Sequence, residues 1–220
     1  MEEQSPPPSE GQPILVLASG SPRRSQLLDD GGYTFRVVAP SVDESPLPQE
    51  QPTEMVLRLA VAKAKQVGSH VDGTAVILGC DTSVVFEGNA LGKPTSPAHA
   101  IEMLLRLGGR SHDVITGYAV LSTPPGRIEG PLSLSGIVTT RVSMKPITPA
   151  AAADYVATGE PLDKAGSYAI QGIGGALVAG HEGSYTNIVG LPMETVRIAL
   201  AESGVFPVSD SEARSGENRG

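Results

Sequence analysis

The chain has 220 residues, 40% of them hydrophobic, which predicts a folded body with a substantial core. Its 24 acidic and 16 basic residues give a formal net charge of −8, which argues against a nucleic-acid partner, because nucleic-acid-binding proteins present a basic face to phosphates. The single cysteine excludes an internal disulfide, and no apolar run approaches the roughly 18 residues of a membrane span, so a cytoplasmic protein without a membrane partner is expected.

The folded body is predicted to span residues 13–206. Residues 1–12 contain three consecutive prolines, and residues 207–220 are rich in Ser, Glu, Arg and Gly. Neither segment shows hydrophobic periodicity, so both are predicted to be disordered tails.

The first half of the body alternates short β-like runs with amphipathic segments, and this order predicts strands alternating with helices. Strands are predicted at 14–17, 35–38 and 76–86, with helices after Ser21–Pro22 and over 53–67. Thr53 is the predicted cap of the second helix, and Gly79–Asp81 is predicted to interrupt the third strand.

The second half of the body contains two long β-rich stretches, at 112–122 and 132–144. A turn at Pro124–Gly126 separates them, so they are predicted to pair antiparallel and to make the sheet mixed. Helices are predicted between Ser96 and Gly108, over 149–158 and over 192–203, with loops and short strands over 159–190.

Residues 17–24 place small side chains and two arginines at the start of a helix. Backbone N–H groups, the helix dipole and the guanidinium groups of Arg23 and Arg24 all favour an anion there. The alternative interpretation is a capped surface helix whose arginines are solvated.

Lys63 lies on the apolar face of the predicted helix 53–67, in the i+7 position from Val56. A lysine on a buried face either extends its ammonium group to solvent or meets an anionic partner, because an unpaired buried charge is costly. The partner is the favoured interpretation.

Asp81 is a carboxylate inside an otherwise apolar β region. It can serve as a turn residue, or it can hold a metal or activate water. Glu44, in a loop, can join Asp81 on Mg²⁺ or Mn²⁺, since these ions prefer carboxylates, waters and phosphates; an exposed loop acid is the alternative for Glu44.

Residues 88–94 are similar to a phosphate-binding P-loop but do not complete it. Three residues instead of four separate the glycines, and Pro94 stands where Ser or Thr would bind magnesium. Lys93 therefore either faces a phosphate or is an ordinary loop charge. The four histidines show no metal-ligand spacing, so a zinc site is not expected.

Taken together, these segments resemble the Maf family of nucleoside triphosphate pyrophosphatases. The matching segments, in chain order, are 17–24, 42–44, Lys63, 79–82, 92–94, 109–117, 163–172 and 183–192. The resemblance covers about residues 13–203. Cys80 departs from the pattern, because a small residue such as alanine is usual at that position.

The resemblance implies an α/β fold in which helices flank an elongated mixed sheet and two lobes surround a central cleft, as in ITPase-like proteins. It also implies a single catalytic domain over 13–206, a homodimer, and hydrolysis of nucleoside triphosphates to monophosphate and pyrophosphate with a divalent cation, Mg²⁺ or Mn²⁺. The family has also been associated with division control. A non-catalytic nucleotide-binding regulator of cell division is therefore the alternative function.

Residue roles follow from the same resemblance. The implied catalytic residues are Asp81, Glu44, Lys63 and Lys93, with Asp81 as proton acceptor and with Glu44 and Asp81 near the metal. The implied substrate-binding residues are Ser19, Arg23, Arg24, Thr82 and Gln171. Arg23, Thr82 and Gln171 match the branch that acts on dTTP and UTP, which suggests a house-cleaning role that extends to modified pyrimidine nucleotides.

Overall fold

The computed structural model describes residues 13–123 and 132–208. The strands are β1 (Ile14–Ala18), β2 (Phe35–Val37), β3 (Ala75–Phe86), β4 (Asn89–Leu91), β5 (Ser111–Thr123), β6 (Leu132–Met144) and β7 (Val178–Glu182). The α-helices are α1 (Pro22–Asp30), α2 (Pro52–Gly68), α3 (Pro97–Leu107), α4 (Pro149–Ala157), α5 (Tyr185–Val189) and α6 (Met193–Glu202). The predicted turn at 124–126, the tail 1–12 and the tail residues from 209 lie outside the described residues.

The strands form one mixed sheet in the order β2-β1-β3-β5-β6-β7, with β4 paired to β3. Strand β1 runs parallel to both β2 and β3, because helices α1 and α2 return the chain to the same end of the sheet. The remaining pairs are antiparallel, including the predicted pair of β5 and β6. The predicted mixed α/β architecture is confirmed. Within the described residues, no helix has the length and apolar character that crossing a membrane requires.

Two local predictions in the first half of the body were wrong. Residues 79–81 do not interrupt β3, because Gly79 pairs with Ala119 and the ladder with β5 continues without a break. Helix α2 begins at Pro52 rather than after Thr53, because Gln51 and Glu54 form a reciprocal capping box at its first turn.

Residues 159–190 contain more helical structure than was predicted. Three 3-10 helices occupy Glu160–Asp163, Ala165–Ser167 and Ile173–Leu177, and they precede β7 and α5. Glycines with positive φ at 159, 166 and 172 allow the sharp changes of direction between these short elements.

Buried side chains form two lobes on either side of a cleft. One lobe packs β1, the first half of β3 and the second half of β5 against α2 and α6. The other packs the second half of β3 and the first half of β5 against α3 and α4. Strands β3 and β5 therefore belong to both lobes.

Helix α2 lies directly on the sheet at two glycines. A Cβ atom on Gly79 would lie 2.2 Å from the Ala60 carbonyl oxygen, and one on Gly117 would lie 2.4 Å from the Val56 carbonyl oxygen. Neither distance is compatible with a side chain, so the approach of the helix requires glycine at both positions. This close approach brings Lys63, less than one turn beyond Ala60, over the middle of β3.

A buried histidine connects β5 to the segment that follows the second 3-10 helix. His112 Nε2 lies 2.8 Å from the hydroxyl of Tyr168, and both side chains are buried. Burial lowers the pKa of His112 from 6.5 to about 4. The folded protein therefore holds His112 neutral in weak acid, where an exposed histidine would gain a proton.

We expect the free energy of unfolding to fall by about 2 kcal/mol between pH 7.5 and pH 5 because of His112, at about 1.4 kcal/mol per pH unit below 6.5. The unfolded chain binds a proton at this histidine below pH 6.5, whereas the folded chain does so only near its lowered pKa of about 4. Urea unfolding at the two pH values measures the change. The variant His112→Gln should lack this component, and an equal loss of stability in the variant would contradict the assignment.

Candidate active site

A cleft of about 940 Å³ lies between the two lobes, within the range of roughly 300–1,000 Å³ typical of small-molecule sites. The end of β1, the start of α1, the middle of β3 and the segment 160–172 form its walls. The cleft brings together all nine residues that were predicted from the sequence: Ser19, Arg23, Arg24, Glu44, Lys63, Asp81, Thr82, Lys93 and Gln171.

Two carboxylates converge on the ammonium group of Lys63. Its Nζ lies 2.6 Å from Glu44 Oε1 and 2.6 Å from Asp81 Oδ1. The Lys63 side chain is 7% exposed and that of Asp81 is 13% exposed, whereas Glu44 is 61% exposed. The predicted inward orientation of Lys63 toward an anionic partner is confirmed.

The charge state of Asp81 depends on a balance between burial and neighbouring cations. Burial raises the pKa of the Asp81 carboxyl above 3.8, while Lys63 and then Arg24 oppose that shift. The net result is a carboxylate that is more basic than an exposed aspartate. Such a group is suited to accept a proton from water.

The loop that carries Glu44 is fastened to helix α2 by Arg58. Its Nη2 donates to the Ser45 carbonyl oxygen at 3.1 Å and to Glu50 Oε2 at 2.8 Å. The Ser45 N–H group also donates to Asp43 Oδ1 at 2.9 Å. These contacts fix the backbone on both sides of Glu44, so its exposed side chain starts from a defined position at the cleft.

Arg24 is buried and donates hydrogen bonds to acceptors on β3 and on the turn after α5. Its Nε donates to the Gly190 carbonyl oxygen at 2.8 Å, Nη1 donates to the Cys80 carbonyl oxygen at 2.9 Å, and Nη2 donates to Thr82 Oγ1 at 3.0 Å. Arg24 thereby joins α1, β3 and the turn after α5 at the floor of the cleft. Its role in phosphate binding stays a prediction.

Ser19 and Thr82 present hydroxyl groups beside this guanidinium. Ser19 Oγ accepts from the Ser21 N–H group at 3.2 Å and from Arg24 Nη1 at 3.1 Å, which leaves its own proton to donate to a ligand. Thr82 Oγ1 lies 2.9 Å from Thr116 Oγ1, so the protein fixes its orientation.

Arg23 and Lys93 are the cleft's available cations. In the part of the chain that the structure describes, neither forms an ion pair with a carboxylate, and Arg23 Nε is buried without a hydrogen-bond partner. Buried polar groups normally have a partner, so the Arg23 guanidinium is suited to receive an anion.

Three further residues of the cleft wall were not singled out from the sequence: Glu160, Lys164 and Tyr168. Lys164 pairs with its neighbour Asp163 at the rim. Lys164 and Tyr168 belong to the segment 163–172, whose resemblance to the family was the sequence signal that could have identified them. Glu160 lies outside that segment and had none.

The donor set for a metal ion consists of oxygen atoms. Among the residues that the structure describes, no cluster of three or more His, Cys, Asp and Glu side chains has the geometry of a metal site. Glu44 and Asp81 nevertheless direct one carboxylate oxygen each toward the same cationic position, that of Lys63 Nζ. Two carboxylates that share one position fit Mg²⁺ or Mn²⁺, which complete their shells with water and phosphate oxygens.

Comparison with known proteins gives consistent matches over the folded body. The family model described as Maf-like protein matches residues 14–203. A dTTP/UTP pyrophosphatase of Moorella thermoacetica is 49% identical over 191 residues, which cover 87% of this chain and 95% of that protein. A dTTP/UTP pyrophosphatase of Syntrophotalea carbinolica is 44% identical over 214 residues, which cover 96% and 94%. A solved nucleoside-triphosphatase / dITP/XTP pyrophosphatase from Mycobacterium abscessus gives a TM-score of 0.34 at 16% identity, over 61% of this chain and 74% of that one.

Proposed function

The chain belongs to the Maf-like protein family, and we propose that it hydrolyses dTTP and UTP to the nucleoside monophosphate and pyrophosphate. The family predicted from the sequence is thereby confirmed. The observation that carries the catalytic function is the convergence of Glu44 and Asp81 on Lys63, in a cleft that also contains Arg23 and Lys93, two cations without an ion pair among the described residues.

Charge neutralisation supplies the largest contribution to the reaction. A triphosphate brings several negative charges into the cleft, and hydrolysis redistributes that charge over the phosphate oxygens. Arg23 and Lys93 face the cleft and form no ion pair with a carboxylate of the described residues, and the Ser19 hydroxyl retains a proton to donate. These groups bind the triphosphate and lower the barrier to attack by water.

Asp81 accepts the proton of the attacking water. Its raised pKa makes it a better base than an exposed aspartate, and Lys63 favours its ionised form. A protein that only binds nucleotide gains nothing from a buried carboxylate beside phosphates, because like charges repel. This argument favours the enzyme over the alternative, a non-catalytic nucleotide-binding regulator of cell division.

The proposal includes a divalent cation, Mg²⁺ or Mn²⁺, held by Glu44 and Asp81. When bound, such an ion supplies further charge neutralisation and lowers the pKa of a coordinated water. The exposed side chain of Glu44 can turn, so it can exchange its contact with Lys63 for another cation. Lys63 would then be available to the phosphates.

Thr82 and Gln171 are proposed to read the base. Thymine and uracil present a donor N–H group between two carbonyl acceptors, and a glutamine amide carries both a donor and an acceptor. Gln171 is exposed in the cleft, and Thr82, on β3, also lines the cleft. The proposal extends to modified pyrimidine nucleotides and to a cytoplasmic homodimer that acts on free nucleotides.

We expect purified protein with Mg²⁺ or Mn²⁺ to release pyrophosphate from dTTP and UTP much faster than from CTP, ATP, GTP or 7-methyl-GTP. The reason is that the cleft combines phosphate-binding cations with the amide of Gln171. A coupled pyrophosphate assay over this panel measures the preference. Nucleotide binding without pyrophosphate release from any member of the panel would support the regulator instead.

A further inference from the structure

The segment that carries Gln171 is held in shape by one carboxylate, that of Glu160. Glu160 Oε1 accepts a hydrogen bond from the Gly174 N–H group at 2.9 Å, and Oε2 accepts one from the Ile173 N–H group at 3.0 Å. The hydroxyl of Tyr155 donates to Oε1 at 2.7 Å. One side chain therefore binds the backbone just after Gln171.

Tyr155 extends this support to the other side of Gln171. Its hydroxyl accepts a hydrogen bond from the Ala169 N–H group at 3.1 Å while it donates to Glu160. The pair of Tyr155 and Glu160 thus holds the backbone two residues before Gln171 and two residues after it.

The glycines of this segment make the support necessary. Gly172 has φ of +103°, and a Cβ atom there would lie 2.5 Å from Glu160 Oε2. At Gly174, a Cβ atom would lie 2.4 Å from the Tyr155 hydroxyl oxygen. Glycine permits this tight wrapping but also permits many other conformations, so the conformation depends on the hydrogen bonds to the carboxylate.

The side chain of Gln171 is not positioned by hydrogen bonds from the described residues. Among the hydrogen bonds found within residues 13–123 and 132–208, none involves the Gln171 amide, and the side chain is exposed in the cleft. Its position is therefore set through its backbone. We propose that Glu160 is a positioning residue that sets the selectivity of the cleft for the uracil and thymine edge by fixing the backbone of Gln171.

This inference rests on the proposed function, because it concerns which base the enzyme accepts. The Glu160 carboxylate is suited to the role in the neutral range: burial raises its pKa, but hydrogen bonds from Gly174, Tyr155 and Ile173 outweigh that effect and hold the pKa below 4.5. A glutamine at this position replaces one acceptor oxygen with an NH₂ group, which only donates hydrogen bonds. That NH₂ group would face a backbone or hydroxyl donor, so at least one hydrogen bond to the side chain is lost. Positioning is then lost with little change in volume.

The test compares kcat/KM for UTP with kcat/KM for CTP in Glu160→Gln. We expect the ratio to fall about tenfold, the order of one lost base contact, mainly through a higher KM for UTP. Tyr155→Phe, which removes the hydrogen bond from the Ala169 N–H group, should shift the ratio in the same direction and is the second test if the first variant does not fold.

Ser96→Ala is the matched control. It removes the side-chain cap that accepts a hydrogen bond from the His99 N–H group on α3, and it should lower the thermal midpoint without changing the ratio.

A double-mutant cycle separates positioning from general destabilisation. If Glu160 acts through Gln171, adding Glu160→Gln to Gln171→Ala leaves the UTP/CTP ratio of the single Gln171→Ala variant unchanged. Equal losses for both substrates in Glu160→Gln, or a fully additive double mutant, would overturn the inference. If the wild type releases no pyrophosphate from UTP or does not prefer it to CTP, the proposed function fails first, which distinguishes the two failures.

Discussion

Replacing Asp81 by asparagine is expected to lower the rate of pyrophosphate release from dTTP and UTP by about 10²- to 10⁴-fold, the usual contribution of a general base. Asparagine keeps the shape of the side chain but cannot accept a proton from water at neutral pH. It also removes one of the two charges that hold Lys63, although Glu44 remains 2.6 Å from the ammonium. Steady-state assays with saturating metal measure the effect.

The matched control for this variant is Asp113→Asn. Asp113 belongs to the same sheet, on β5, and its Oδ1 lies 3.9 Å from Arg141 Nη1. Asp113 is not one of the residues that line the cleft. Its replacement should leave the rate unchanged. Nucleotide binding by Asp81→Asn, measured by calorimetry, should persist, and a rate within a few-fold of wild type would exclude Asp81 as the proton acceptor.

Replacing Gly79 by alanine is expected to destabilise the fold by about 3 kcal/mol, the upper part of the range for overpacking. The added Cβ atom would lie 2.2 Å from the Ala60 carbonyl oxygen and 2.9 Å from the Ala64 nitrogen, so helix α2 must move away from β3. Because Lys63 lies on this part of the helix, the contact with Asp81 is also broken and activity falls. Urea unfolding and the pyrophosphate assay measure the two effects.

Gly180→Ala provides the comparison for this substitution. Gly180 also lies in a strand, β7, but among the described residues a Cβ atom there meets nothing within 4 Å beyond its chain neighbours. Its replacement should change the free energy of unfolding by less than about 1 kcal/mol. A Gly79→Ala protein as stable as the Gly180→Ala protein would show that α2 can move without loss of packing.

The parts of the fold that depend on local periodicity were predictable. The spacing of Val56, Leu59 and Ala60 placed Lys63 on the buried face of a helix, and its ammonium is buried against two carboxylates. The antiparallel pairing of β5 and β6 likewise followed from two β-rich stretches close together in the chain. In both cases the signal lies within a short segment.

Features that depend on distant contacts were not predictable. Gly79 was interpreted as a break in a strand, whereas its lack of a side chain lets the Ala60 carbonyl group of helix α2 lie directly against β3. Arg24 was interpreted as an anion-binding residue or as a solvated surface charge, because its acceptor at Gly190 lies 166 positions away. Glu160 escaped notice because its partners include backbone N–H groups, which leave no mark on the sequence.

The continuity of β3 and β5 through both lobes limits how the molecule can move. These strands have 12 and 13 residues and rise about 3.3 Å per residue, so they form a continuous antiparallel pair about 40 Å long that both lobes share. A hinge rotation between the lobes, a motion of microseconds to milliseconds, would have to bend this continuous strand pair, because no loop interrupts β3 or β5 between the lobes. We therefore expect nucleotide to enter and pyrophosphate to leave without separation of the lobes, past the exposed side chains of Glu44 and Gln171, because exposed side chains change rotamer within picoseconds to nanoseconds.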